Sequence, residues 1–358
     1  HARIYHTLPG VNLVAVVEPG LSHKEFLKQV EEEGLYFPPE PFNAQSGSLG
    51  GCFAIGETDS KSFVFGPTRT YLLGWEMVSP SGEILTVGNK CIKNVSGYDL
   101  IHFMVGSQGT LGIFTKLLIK LLPKPEHKRA VLANFASLHK AGTAITDLTL
   151  KGIHPTRVNL LSQPLAQNVL TANEDLSFSA GYLAMVDLQG FEESSSQLSE
   201  RIASELKFAG AVEVIIVNNA EQYESIWDSW LEVKTKLNAG DLSSIDFSVG
   251  PANLAKGLKG LAEITGDLAN YPGLLAYGLL GNIRLVLPDL SSREMDGLLG
   301  KINALALSLG GNISGSLGLK LRAAAFYQPD LYDELTNLLN RLRSEFDPKG
   351  VLAPGIIL

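Results

Sequence analysis

Residues 12–17, NLVAVV, form a short apolar run closed by Glu18-Pro19-Gly20, the pattern of a buried strand. Ser22 and Glu25 stand at the S-x-x-E spacing of a capping box, and Phe26 and Val30 follow one helical turn apart. A helix is expected from there to Gly34, where glycine can close it. The next stretch, LYFPPEP, cannot continue a helix or sit in a central strand, because proline lacks the amide proton that both need. A stiff loop is expected. Residues 75–78 and 83–87 flank Ser79-Pro80-Ser81-Gly82 and predict a β-hairpin. Residues 113–122 predict a strand, closed by Pro123-Lys124-Pro125.

Beyond about residue 128 the texture changes. Apolar, strand-like runs at 131–135, 182–188, 212–217, 274–280 and 283–287 are separated by helical stretches such as 194–208. This rhythm predicts an α+β domain with an antiparallel sheet covered on one face. Leu331, Leu335, Leu338 and Leu342 recur at helical spacing. They predict a helix from Asp330 to about Phe346 with that stripe toward the core, followed by a turn at Asp347-Pro348-Lys349-Gly350.

A chain of 358 residues exceeds one ordinary core and implies two domains, or one large domain with a cap. A composition 45% hydrophobic and 18% charged is that of a folded protein, not a disordered one. The net charge of −8, with no long Lys/Arg block, argues against a nucleic-acid partner. Two cysteines, Cys52 and Cys91, are too few for a disulfide framework or a cysteine-ligated iron–sulfur or zinc site within this chain. No apolar run is long enough for a membrane span and no signal peptide is visible, so a cytoplasmic setting is expected. The first residues, His-Ala-Arg, suggest a start inside a larger domain.

Two glycine-rich segments carry the candidate chemistry. One is Gly47-Ser48-Leu49-Gly50-Gly51; the other places Gly97, Gly106, Gly109 and Gly112 within residues 93–115. Glycine lets a backbone turn with positive φ and approach a ligand with no Cβ in the way, leaving amides to point at an anion such as a phosphate. The plainer alternative is a tight loop between two core strands.

The ordered motifs FPPEP, LGGC, KNVSGYDL, VGSQGTLGI and DPKGVLAPG resemble those of FAD-linked oxidases of the vanillyl-alcohol-oxidase (PCMH) type. The resemblance is to the glycolate oxidase and D-lactate dehydrogenase subunits, and among these to the E subunit of glycolate oxidase. It implies a PCMH-type FAD-binding domain lacking its first subdomain, plus an α+β cap domain with an antiparallel sheet. The implied division is 1–125 for the FAD-binding part, 126–312 for the cap, and 313–358 for a C-terminal helix returning to the FAD domain. Carried over by position, Pro38, Pro39 and Pro41 would wall the flavin. Gly47, Ser48, Gly50 and Gly51 would hold its pyrophosphate and ribityl chain through backbone amides. Ser107, Gly109, Gly112 and Ile113 would line its other side.

Three departures from the family pattern stand out. The resemblance implies an amino-terminal unit ahead of the position matched by residue 1, which this stretch of sequence is expected not to supply. The His-x6-His pair, which in the family binds a divalent metal with a later Glu, reads Tyr277 and Arg284 within YGLLGNIR, and SGSLGLK replaces the region of that Glu. All seven histidines lie at or before residue 154, so no metal is expected in the cap. Ala353 stands where the family often has Asn.

The resemblance thus implies an FAD-binding oxidoreductase subunit of a complex that oxidises glycolate, D-lactate or a similar 2-hydroxy acid. Its partners would be a catalytic flavoprotein subunit and an iron–sulfur subunit, with any membrane association peripheral and through those partners. No catalytic base can be named. Arg284 is a weak candidate to pair with a substrate carboxylate, the plainer reading being a salt bridge. His102, in LIHFMV, reads as a buried structural histidine. The alternative function is a non-catalytic, flavin-fold scaffold without tightly bound FAD. A UDP-sugar enolpyruvate reductase is a further reading, opposed by KNVSGYDL and DPKG.

Overall fold

The computed structural model describes residues 4–7, 13–40, 47–91, 97–171, 173, 176, 178, 181–239, 244–266, 271–314 and 329–353. The chain divides into two compact units, His1–Lys124 with Ser316–Leu358, and Pro125–Gly315.

The first unit is built on an antiparallel sheet of β1 (Ile4–Thr7), β2 (Val14–Val17), β4 (Leu72–Val78), β5 (Ile84–Gly88) and β6 (Ile113–Lys120), in the order β1-β2-β6-β4-β5. A second small sheet pairs β3 (Leu35–Tyr36) with β7 (Leu122–Pro123). Helix α1 (His23–Glu32) starts where the sequence predicts, because the Ser22 hydroxyl accepts the Glu25 amide, and it buries Phe26 and Val30. Short helices α2 (Leu49–Ile55), α3 (Ser62–Phe65) and α4 (Leu100–Phe103) follow. The core gathers Val17, Phe26, Phe37, Phe53, Tyr71, Trp75, Met77, Leu117 and Ile119.

The second unit is an eight-stranded, wholly antiparallel sheet. Its strands are β8 (His127–Phe135), β9 (Arg157–Leu161), β10 (Tyr182–Gly190), β11 (Glu213–Val217), β12 (Ser244–Ser248), β13 (Gly273–Tyr277), β14 (Asn282–Val286) and β15 (Asn312–Ser314). They run in the order β11-β8-β10-β9-β13-β14-β12-β15. Helices α5 (Leu138–Leu150), α6 (Gln163–Thr171), α7 (Glu192–Phe208), α8 (Ala220–Ala239), α9 (Leu254–Thr265) and α10 (Ser292–Ser308) complete it.

Opposite residues of antiparallel strands project to the same face. The register therefore sorts Val158, Leu160, Ala276, Ile283, Leu285 and Phe247 onto one apolar face, against which α5 and α9 pack through Ile145 and Gly257. The other face carries Arg157, Asn159, Tyr277, Asn282, Arg284, Asp246 and Asp187. The expectation of a sheet covered on one face is corrected here. Helix α8 also crosses this polar face, with Trp227 stacked 3.5 Å over the Arg157 guanidinium and the Tyr223 hydroxyl donating to Asp187 at 2.6 Å. A polar face buried by ion pairs leaves no apolar periodicity to read.

The last helix, α11 (Pro329–Phe346), belongs to the first unit. Its expected core stripe is also corrected, since Leu335 and Leu338 are exposed. Phe346 alone of its named apolar residues packs on the described core, stacked near Phe103 at 5.9 Å. The turn that follows is closed by the Asp347 carboxylate, which accepts the amides of Val351 and Leu352. These bonds hold its pKa below the ordinary carboxylate range. Arg343 holds the carbonyls of Leu352 and Ala353. Ala353 sits at φ +42°, a left-handed conformation that asparagine tolerates better than alanine.

Candidate functional site

The proline loop, the first glycine loop and α1 meet at one residue that the sequence did not single out. His23 is buried, its backbone amide donates to the Gly47 carbonyl at 3.0 Å, and its ring Nε2 donates to the Pro39 carbonyl at 2.8 Å. A carbonyl only accepts, so this bond requires the proton on Nε2. His23 thus ties together two segments expected to line the flavin. The sole sequence signal for it is its place one residue after the Ser22 cap.

A second anchor holds the far end of the proline loop. Asp59 is 2% exposed, and its two carboxylate oxygens accept the amides of Glu40 and Lys61, both at 2.7 Å. The Lys61 ammonium reaches the Tyr36 hydroxyl at 3.0 Å and Glu40 at 3.4 Å. Burial pushes the Asp59 pKa up, against the two amide bonds that pull it down. Pro38 and Pro39 are buried within this frame, and Pro41 lies outside the described residues.

The second glycine segment is bonded to the end of α2, the helix that the first glycine segment opens. Gly106 and Gln108 donate their amides to the carbonyls of Phe53 and Ala54 at the end of α2. Gln108 and Gly109 then occupy the centre of a turn closed by the Thr110 amide on Ser107, both at positive φ, +55° and +71°. That is the pattern of a type I′ turn, which glycine accepts at no steric cost and glutamine only under strain. A Cβ at Gly109 would meet nothing within 4 Å, so the backbone there borders open space. Ser107 is buried beneath the turn, Gly112 lies against Met77, and Ile113 is exposed at the head of β6.

The first loop corrects one expectation. The amides of Gly50 and Gly51 are spent inside the protein, Gly50 on the Pro19 carbonyl at 2.8 Å and Gly51 on the Ser48 hydroxyl. Among the described residues no acceptor within the protein is seen for the amides of Gly47, Ser48 and Gly109. Gly50 is required for another reason: a Cβ there would lie 2.6 Å from the Pro19 Cβ. Hence Gly109→Val should cut flavin retention at least about tenfold through left-handed strain and blocked approach, with the fold kept. Gly50→Val should instead lose about 1–3 kcal/mol of stability by overpacking. Flavin absorbance per protein and urea unfolding of both variants separate the two effects. Unchanged absorbance in Gly109→Val would remove that turn from the flavin site.

The residues present fit FAD: two adjoining loops with open amides, an open approach at Gly109, and an apolar row Ile113, Val78, Ile84 across β6, β4 and β5. Tyr98 is almost fully exposed. His102 is not the buried histidine expected. It is partly exposed, with Nδ1 2.7 Å from Asp99, which caps α4 and whose pKa this bond lowers.

In the second unit, Tyr277 and Arg284 do share the polar face, because Tyr277 pairs with Asn282 and Arg284 with Leu275 across one hairpin. Arg284 is engaged by Asp246 through two bonds of 2.6 Å, Nε to Oδ1 and Nη2 to Oδ2, with both residues buried. A guanidinium cannot ligate a cation, and a bidentate Arg–Asp pair stands where a metal ligand would. Among the described residues no group of three or more His, Cys, Asp or Glu side chains could hold a metal ion. The donor set here does not fit a divalent metal. Of the segment expected to replace the family's Glu, residues 314–320, Ser314 ends β15 across from Asp246, and residues 315–320 lie outside the described residues.

The family model for FAD linked oxidases, C-terminal domain, matches residues 124–357, and that for an FAD binding domain matches residues 5–88. Glycolate oxidase subunit GlcD of Bacillus subtilis is 29% identical over 96% of this chain and 75% of its own length. GlcD of Escherichia coli K12 is 28% identical over 95% of this chain and 70% of its own. A D-lactate dehydrogenase of Archaeoglobus fulgidus is 27% identical, covering 97% and 77%. These named subunits are D subunits, whereas the motifs suggested the E subunit. A solved alkyldihydroxyacetonephosphate synthase superposes with a TM-score of 0.67 at 16% identity, over 96% of this chain and 65% of that one, a likeness of fold alone. This chain belongs to the FAD-linked oxidases, and its cofactor is FAD.

Proposed function

We propose that the chain oxidises a small 2-hydroxy acid, of the glycolate or D-lactate type, as a subunit of a larger complex. The observation that carries the reading is the joining of two glycine loops at an open type I′ turn, in a chain similar to glycolate oxidase subunits and a D-lactate dehydrogenase along nearly its whole length. Bound FAD supplies the electron acceptor; the protein supplies position and environment. His23 and Asp59 hold the proline loop, and the turn at Gln108–Gly109 offers backbone to the cofactor. The scaffold reading without FAD is not favoured, because the FAD-binding match covers the loop that such a scaffold would not need. We take the partners to be a second flavoprotein subunit and an iron–sulfur subunit, since two relatives are named as subunits. No described helix is long and apolar enough to cross a membrane.

The test is the visible spectrum of the purified protein with FAD, before and after glycolate or D-lactate under anaerobic conditions. Flavin bands that bleach with either acid are expected. Bands that persist with both acids, or protein that stays colourless after FAD addition, would overturn the proposal.

A further inference from the structure

We propose that α11 is a self-association surface, on which a second copy of this chain docks its own α11 antiparallel across a two-fold axis. The surface lies within the first unit and does not depend on the 2-hydroxy-acid reading. Two sides of α11 differ. Thr336, Leu339, Arg343 and Phe346 recur at helical spacing and are partly buried. Of these, Phe346 packs on the core and Arg343 holds the chain that follows. About a quarter-turn round the helix, Leu335 and Leu338 are 51% and 44% exposed, and Leu342 continues their row partly buried. Leu331, Leu335, Leu338 and Leu342 follow at steps of four, three and four, the spacing of a coiled-coil seam. Beyond the end of the helix, Phe346 stacks near Phe103, which is exposed, as is Leu100 on the same short helix α4. Single exposed leucines are ordinary, but a continuous apolar band of this kind marks an interaction surface.

The charges beside the row choose the occupant. Glu334 and Arg341 each stand one place before a leucine of the row, Leu335 and Leu342, and so share one flank of it. Both are exposed, and among the described residues neither has an ion pair. In a two-fold antiparallel pair, Leu335 meets Leu338 of the second copy and Leu342 meets Leu331. Glu334 then comes within about 3 Å along the axis of Arg341 of the second copy, and the symmetry forms this ion pair twice. A parallel pair would instead turn the same flank toward Leu339 and Phe346, leaving both charges unmet. One chain thus carries both halves of the charge pair in the register that its own leucine row sets. That self-complementarity points to a second copy rather than to a different subunit.

The full chain with FAD added tests this by sedimentation velocity between about 1 and 100 µM. A wild-type mass that rises to two chains is expected. Glu334→Arg and Arg341→Glu each place like charges across the pair and should weaken the dimer about tenfold or more. The double variant carrying both changes should restore it, and a mixture of the two single variants should form a heterodimer. Leu335→Glu should abolish the dimer, with circular dichroism and flavin content as in the wild type. A wild type that stays one chain at every concentration would overturn the proposal. So would a dimer that the single charge variants and Leu335→Glu all leave intact. A double variant that fails to restore the dimer would overturn the antiparallel pairing.

Discussion

Asp246→Ala is expected to lower the unfolding free energy by about 3–5 kcal/mol, the largest effect of any single polar substitution considered for this chain. Asp246 and Arg284 are 4% and 6% exposed, and their two bonds of 2.6 Å form a planar, bidentate pair. Most of the cost comes from leaving a guanidinium in a buried setting with less countercharge, rather than from the net worth of the pair. The double variant Arg284→Met with Asp246→Leu removes both charges together and should recover most of the loss. Urea unfolding of the two singles and the double closes a thermodynamic cycle. A loss below about 1 kcal/mol in Asp246→Ala would mean that water screens the pair, as it does at a protein surface.

Asp59→Ala removes the acceptor of two amides at the end of the proline loop, and is expected to cost about 2–4 kcal/mol because the Lys61 amide is left buried and that of Glu40 partly buried without it. It should also loosen Glu40 and with it the loop expected to wall the flavin, read as a lower ratio of flavin to protein absorbance. The pH dependence has a definite sign. Burial raises the pKa of Asp59 above its unfolded value, so the folded state binds this proton more tightly. Its contribution to stability is full below the ordinary carboxylate range and is lost as pH rises through the raised value. Asp59→Asn removes the titrating group, though with one acceptor oxygen in place of two, and should remove that part of the slope. A slope identical to wild type would show that Asp59 does not titrate in this range.

Much of the local structure was legible in particular residues. Ser22 and Glu25 marked the start of α1, Ser79-Pro80-Ser81-Gly82 marked the hairpin of β4 and β5, and the glycine spacing marked the turn at Gly109. Each of these depends on contacts within a few residues, which the chain order supplies directly. The misreadings share the opposite cause. The stripe of α11 has helical spacing, but spacing cannot say whether a partner surface lies opposite Leu335 and Leu338. His102 sits among apolar residues in sequence, yet three residues of helix place it on Asp99. Gly50 resembles a phosphate-binding glycine, but its amide and its missing Cβ both answer to Pro19.

The sequence by itself determined the two glycine loops, the helix that starts at Ser22, the hairpin around Ser79–Gly82, and the absence of histidine beyond residue 154. Those are matters of residue type and spacing. Only the tertiary structure decided that His23 joins Pro39 to Gly47, that Asp246 neutralises Arg284, and that Asn159 is buried across from Tyr277. These pairs are far apart along the chain, and their partners are chosen by strand register and helix docking. A shift of one residue in either would send each side chain to the opposite face.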